Sequence, residues 1–177
     1  LSEALSYLPD SVVKVRVRSD TAGYQHELLK YWKKGQNERF GRIKFVISAD
    51  VTPEFKRAVE GVAEKDWHPL YRRVSGKMGP TGREWAEVCF VPNPIAFGNK
   101  APAYSYMATR EALSNQPLPG MEGFEMSLPF QMMVRSGVTH KVFGVATNMD
   151  WEGGLVIRFH DGLCGKSEEA HKILKED

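Results

Sequence analysis

An α/β fold with a β-rich insertion is what this 177-residue sequence predicts. Three observations carry it: a switch of hydrophobic period from two to 3.6 within Val12–Trp32, a continuous apolar run followed by a helical stripe within Ile43–Val62, and a change of character after residue 65. Beyond that point glycine and proline clusters separate short alternating segments, as in antiparallel β structure.

Taking the elements in order, Val13, Val15 and Val17 alternate with Lys14, Arg16 and Arg18, a strand with one apolar and one basic face. Tyr24, Leu28, Tyr31 and Trp32 then fall on one helical stripe, which Gly35 closes as a left-handed cap. After a polar loop at 36–42, the run Ile43–Ser48 is short, apolar and β-branched, the mark of a strand covered on both faces. Thr52 caps the next helix, with Pro53 at its first position, Glu54 in its first turn, and Phe55, Ala58, Val59 and Val62 as its buried stripe. Strand, helix, strand, helix implies two parallel strands joined by a right-handed crossover.

Alternating segments follow at Arg83–Val91, Ala103–Thr109 and His140–Thr147. Residues 1–65 are thus the first part of the core, 66–148 the β-rich insertion, and 149–177 the return to the core. In that return the segment from Leu155 reads as a strand, then a loop ending Gly165-Lys166-Ser167, then a helix capped by Ser167 with Ala170, Ile173 and Leu174 on its apolar stripe. The chain starts inside one helical pattern and ends inside another, so a piece of a longer protein is expected.

Composition bounds the function. A hydrophobic content of 42% supports a packed core, and no long apolar run or leader pattern predicts a membrane span or secretion. Two cysteines, Cys89 and Cys164, without short Cys or His spacing argue against a disulfide framework or structural zinc, and a reducing cytoplasm fits best. A net charge of +2 is too weak to imply nucleic-acid binding, so contact with a polyanion must come from local clusters. One such cluster is Arg72, Arg73, Lys77 and Arg83 near Trp67 and Trp85. Those side chains suit phosphate contacts and base stacking, or equally a core aromatic pair with solvated neighbours.

The chemistry centres on Asp20, which stands where the first strand gives way to a helix. Catalytic groups collect at the carboxyl ends of strands in open α/β sheets, so Asp20 is a candidate metal ligand; equally, it caps the helix. Asp50 has the equivalent place after the second strand and reads mainly as a turn residue. Glu168, at the start of the last helix, is a second candidate, although an acidic residue there is also favoured by the helix dipole and by pairing with Lys172. Two carboxylates of this kind could hold a pair of magnesium ions about 3.5–4 Å apart for phosphoryl transfer on DNA. Alternatively, Gly165-Lys166-Ser167 is similar to the end of a phosphate-binding loop, but His160 stands where its first glycine belongs.

In combination, VRSDTAGYQHELLKY, IKFVISAD, VATNMDWEGG and CGKSEEAHKILKED resemble the DDE transposases of bacterial insertion sequences, in the branch with a β-strand insertion between the second Asp and the Glu. The resemblance spans nearly the whole chain. It implies a ribonuclease H-like core, with Asp20 as the second carboxylate and Glu168 as the third of a triad that binds Mg²⁺ or Mn²⁺. Lys175 has the spacing of a lysine that contacts DNA phosphate. The family's Tyr and Arg ahead of the glutamate fall on Asp161 and Cys164, so their roles do not carry over. The first aspartate has no counterpart, since Asp10 precedes the Asp20 strand too closely. The expected protein is therefore part of a transposase catalytic domain, inactive alone, bacterial, cytoplasmic and nucleoid-associated. Its expected partners are transposon-end double-stranded DNA and a second copy in a synaptic complex, with no membrane. Arg16, Arg18, Arg72, Arg73, Lys77, Lys166, Lys172 and Lys175 are the expected DNA path, with Trp67, Trp85 and Trp151 as candidates for base stacking. A non-catalytic DNA-binding fragment is the competing expectation.

Overall fold

A computed structural model of the protein describes residues 5–74, 76–92, 104–113, 132–135 and 138–162. The elements are β1 (Arg16–Ser19), α1 (His26–Lys34), β2 (Lys44–Ala49), α2 (Pro53–Glu60), β3 (His68–Val74), β4 (Lys77–Val88), β5 (Ser105–Ala112), β6 (Met132–Arg135), β7 (Val138–Thr147) and α3 (Gly153–Asp161). The seven strands form one mixed sheet in the order β1-β2-β7-β5-β4-β3, with β6 pairing β7. The fold is α/β.

β1 and β2 are parallel, in register from Arg16↔Lys44 to Ser19↔Ile47, and every other pairing is antiparallel. The β-rich stretch joins the α/β half directly, because β7 pairs with β2 from Val46↔Thr147 to Ala49↔Gly144. Gly144 is glycine because α2 lies close: a Cβ there would meet the Phe55 ring at 2.9 Å.

Alternation sorts the core into two layers. Phe45 and Ile47 of β2 and Tyr106 and Ala108 of β5 pack with Leu29 and Trp32 of α1 and Phe55 and Val59 of α2. Val46, Met107 and Val145 point the other way and pack with Val156 and Ile157 of α3. The sheet is thus covered by α1 and α2 on one face and by α3 on the other. β2 is buried on both faces, as its unbroken apolar run requires.

The helix ends follow the sequence. The Thr52 hydroxyl accepts from the Phe55 amide at 3.2 Å with Pro53 next to it, and Gly35 closes α1 at φ 70°. The strand expected from Leu155 is corrected: Leu155 to Asp161 lie in α3. A short apolar run fits a strand or a buried helix equally. Capping decides between them. The Glu152 carboxylate accepts from the Gly154 and Leu155 amides at 2.9 and 3.0 Å, and Gly153, Val156 and Ile157 bury at helical spacing.

The preceding residues hold that helix to β2. Asn148 accepts from the Phe45 amide at 2.8 Å and donates to the Ile43 carbonyl at 2.9 Å. Lys44 pairs with Asp150 at 3.1 Å. Among the described residues no helix is long and apolar enough to cross a membrane.

Candidate functional site

Two parallel strands ending side by side place Asp20 and Asp50 at one rim. A cavity of about 550 Å³ opens there, lined by Asp20, Thr21, Ser48, Asp50 and Thr52 and walled by Phe143 and Gly144 of β7. At this level β7 keeps β5 on one edge, while on the other edge, among the described residues, β2 stops at Ala49↔Gly144 and β6 starts at Met132↔Lys141.

The motif R-S-D-x-x-G-Y builds this rim. Asp20 Oδ1 accepts from the Ala22 amide at 3.0 Å and so caps a 3-10 turn, Thr21–Gly23. The capping and cavity readings of Asp20 therefore coexist. Gly23 presses on Ser19, whose Oγ would lie 2.5 Å from a Cβ, so only glycine allows the turn. Tyr24 turns inward, its hydroxyl 2.7 Å from that of Tyr106, and burial pushes both phenols up from their ordinary value. Arg18 donates to the Phe159 carbonyl at 2.9 Å and lies over the Phe159 ring.

α3 delivers His160 to the ends of β1 and β2. Its Nε2 lies 2.9 Å from Ser48 Oγ and 3.3 Å from the Ser19 carbonyl oxygen, so one side chain links α3 to the ends of β1 and β2. Burial holds the imidazole below its ordinary 6.5, against the Ser19 hydrogen bond and Asp161, which push it up. The depressed value means that the unfolded chain binds the proton more tightly. Stability contributed by neutral His160 is therefore complete above about pH 6.5 and falls as pH drops through the window below. His160→Gln is expected to flatten part of that acid slope in denaturation curves between about pH 5 and 7; His26, also lowered by burial, retains the rest. An unchanged slope would separate His160 from the acid response.

A second cavity of about 470 Å³ lies beyond Asp50, against Tyr24, His26, Glu54 and Phe90. Asp50, read from sequence mainly as a turn residue, thus lines both cavities. Its signal was its place, one residue past the second parallel strand, matching Asp20 after the first. His160 carries no site signal in the sequence, where the apolar run before it fits a strand as well as a helix.

The expected basic path is divided. Arg16 is exposed, its guanidinium 5.2 Å from the Trp151 ring, whereas Arg18 is half-buried against the Phe159 ring. Arg72, Arg73 and Lys77 are exposed on the β3–β4 hairpin. Of the three tryptophans considered, Trp67 is buried beneath Arg110, Trp85 is wedged between His68 and α3, and Trp151 is exposed. Glu168, Lys166, Lys172 and Lys175, with Gly165 and Ser167, lie outside the described residues. Asp20 and Asp50 are therefore the carboxylates that the described residues bring to the rim, and among those residues no three His, Cys, Asp or Glu side chains form a metal-binding group. Comparisons of the chain with family models, curated proteins and solved structures find no match.

Proposed function

We propose that this chain is the later part of the catalytic domain of a DDE transposase, on a ribonuclease H-like core, cutting and joining transposon-end double-stranded DNA. The observation that carries the reading is the position of Asp20 within the R-S-D-x-x-G-Y motif, at a cavity outside the carboxyl ends of two parallel strands. The oxygen-rich lining of carboxylates and hydroxyls suits a hard cation such as Mg²⁺ or Mn²⁺. β1 is the edge of the described sheet, which leaves a pairing place for a strand bearing the first aspartate of the family.

In this reading Asp20 and Glu168 hold the cation pair, which when bound activates the attacking hydroxyl and stabilises the leaving oxygen. The tight turn at Gly23 and the His160 link orient Asp20 by fixing the ends of β1 and β2. Without the first carboxylate the chain alone holds the ions weakly and does not turn over DNA.

Calorimetry with Mn²⁺ tests the proposal. Wild-type chain is expected to bind, and Asp20→Asn or Glu168→Gln to weaken binding roughly 10–100-fold, at least the scale seen for outer-shell partners of metal sites. Absence of Mn²⁺ binding, or affinity indifferent to both substitutions, would overturn it.

A further inference from the structure

The β3–β4 hairpin runs out of the sheet. β4 pairs with β5 only from Arg83 to Val88, whereas its pairing with β3 continues through Tyr71↔Pro80, Arg72↔Gly79, Arg73↔Met78 and Val74↔Lys77. Tyr71–Val74 and Lys77–Pro80 therefore form a two-stranded arm with no third strand among the described residues. Four paired residues at about 3.3 Å each make it about 13 Å long.

The arm is exposed on both faces, with Tyr71, Arg72, Arg73, Lys77 and Met78 all in solvent. A lone hairpin is marginally stable in water, so its root matters. There Thr81 Oγ1 donates to the Leu70 carbonyl at 2.8 Å, Arg83 pairs with Asp161 at 2.8 Å, and Arg158 donates to the Tyr71 carbonyl at 3.4 Å. The register shifts between Pro69 and Tyr71, an irregularity of the kind that bends and re-aims a strand.

Charge selects the partner. From Tyr71 to Arg83 the sequence carries four cations and no carboxylate. Asp161 neutralises Arg83, and among the described residues Arg72, Arg73 and Lys77 meet no carboxylate. Directly opposed residues share a face, so Arg72 and Lys77 fall on one side and Tyr71, Arg73 and Met78 on the other. A ribbon with cations on both sides fits between two rows of phosphates. The major groove of B-DNA, about 12 Å wide, admits a two-stranded ribbon.

We propose that the β3–β4 arm enters the major groove of duplex DNA, with Arg72, Arg73 and Lys77 on the phosphates of its two walls. The inference rests on the DNA reading above. α3 connects the two regions, since it holds the arm's root through Arg158 and Asp161 and the cavity rim through His160.

The test compares the full chain with its Arg72→Ala/Arg73→Ala/Lys77→Ala variant, whose fold is checked by circular dichroism. Binding to a short duplex is followed by fluorescence anisotropy between about 50 and 200 mM salt, with dimethyl sulfate probing guanine N7 in the major groove. Wild type is expected to protect N7; the variant is expected to lose protection and lower the salt slope by about two to three units, nearly one per phosphate contact. Duplex binding with unchanged slope and protection in the variant would overturn the arm proposal and leave the DNA reading standing. No duplex binding by wild type would defeat both. Equal binding to heparin without N7 protection would reduce the arm to a general polyanion patch and overturn its placement in the groove.

Discussion

Gly153→Ala is expected to destabilise the protein by about 2–3 kcal/mol, although alanine normally stabilises a helix relative to glycine by about 0.5–1 kcal/mol. The reversal comes from Trp85. A Cβ on Gly153 would lie 2.1 Å from Cζ3 of that indole and 2.5 Å from Cε3. Neither side has room to yield. The indole is held against His68 across the hairpin at 4.8 Å between ring centroids, and a Cβ on Gly154 would meet its Nε1 at 3.2 Å. α3 must therefore lift, which loosens Val156 and Ile157 and draws His160 away from Ser48. Urea denaturation of wild type, Gly153→Ala, Trp85→Ala and the double variant measures the coupling. In the Trp85→Ala background the alanine is expected to be neutral or stabilising. A stabilising Gly153→Ala in the wild-type background would contradict the packing of α3 on β4.

Arg110→Ala is expected to cost about 2–4 kcal/mol, the other large effect. The Arg110 side chain is 7% exposed, and each guanidinium nitrogen donates once: two bonds to Glu64 at 3.0 and 2.6 Å and one to Glu84 at 2.8 Å, with the Trp67 ring 4.2 Å from its centre. The two carboxylates hold the guanidinium above its ordinary value against the opposing effect of burial. Removing the cation leaves Glu64 and Glu84 without it and uncovers Trp67. Breaking a fully buried pair costs about 3–5 kcal/mol; solvent access to Glu64 and Glu84, whose side chains are 57% and 40% exposed, lowers the expectation here. Arg110→Lys retains the charge without the forked geometry and is expected to recover only part of the loss. Thermal unfolding of the two variants separates these contributions. A cost below about 0.5 kcal/mol for Arg110→Ala would place the cluster among ordinary surface contacts.

How legible the chain was depended on whether local rules acted alone. α1, β2 and α2 were readable because caps and periodicity agreed: Gly35 at positive φ, Thr52 with Pro53, and an unbroken apolar run between them. β1 starts later than its alternation suggests, at Arg16, because β2 offers its first partner at Lys44, and Val13 remains exposed. α3 was misread because an apolar run of that length carries no decisive period, and the deciding cap lay on Glu152, outside the run. At the site, Asp20 was legible from its place after a strand. The matching role of Asp50 required the parallel pairing, which brings two distant strand ends to one cavity. The Arg110 cluster was illegible, since nothing in sequence spacing brings residues 64, 84 and 110 together.

The proposed function requires Asp20 and Glu168 to share one pair of cations. Paramagnetic broadening of amide resonances by Mn²⁺ reads this directly in the full chain. Substoichiometric Mn²⁺ is expected to broaden Asp20–Gly23, Ser48–Thr52 and the residues around Glu168 together and selectively, and Glu168→Gln to abolish the effect at Asp20. Broadening that spares Asp20, or that persists there unchanged in Glu168→Gln, would contradict it.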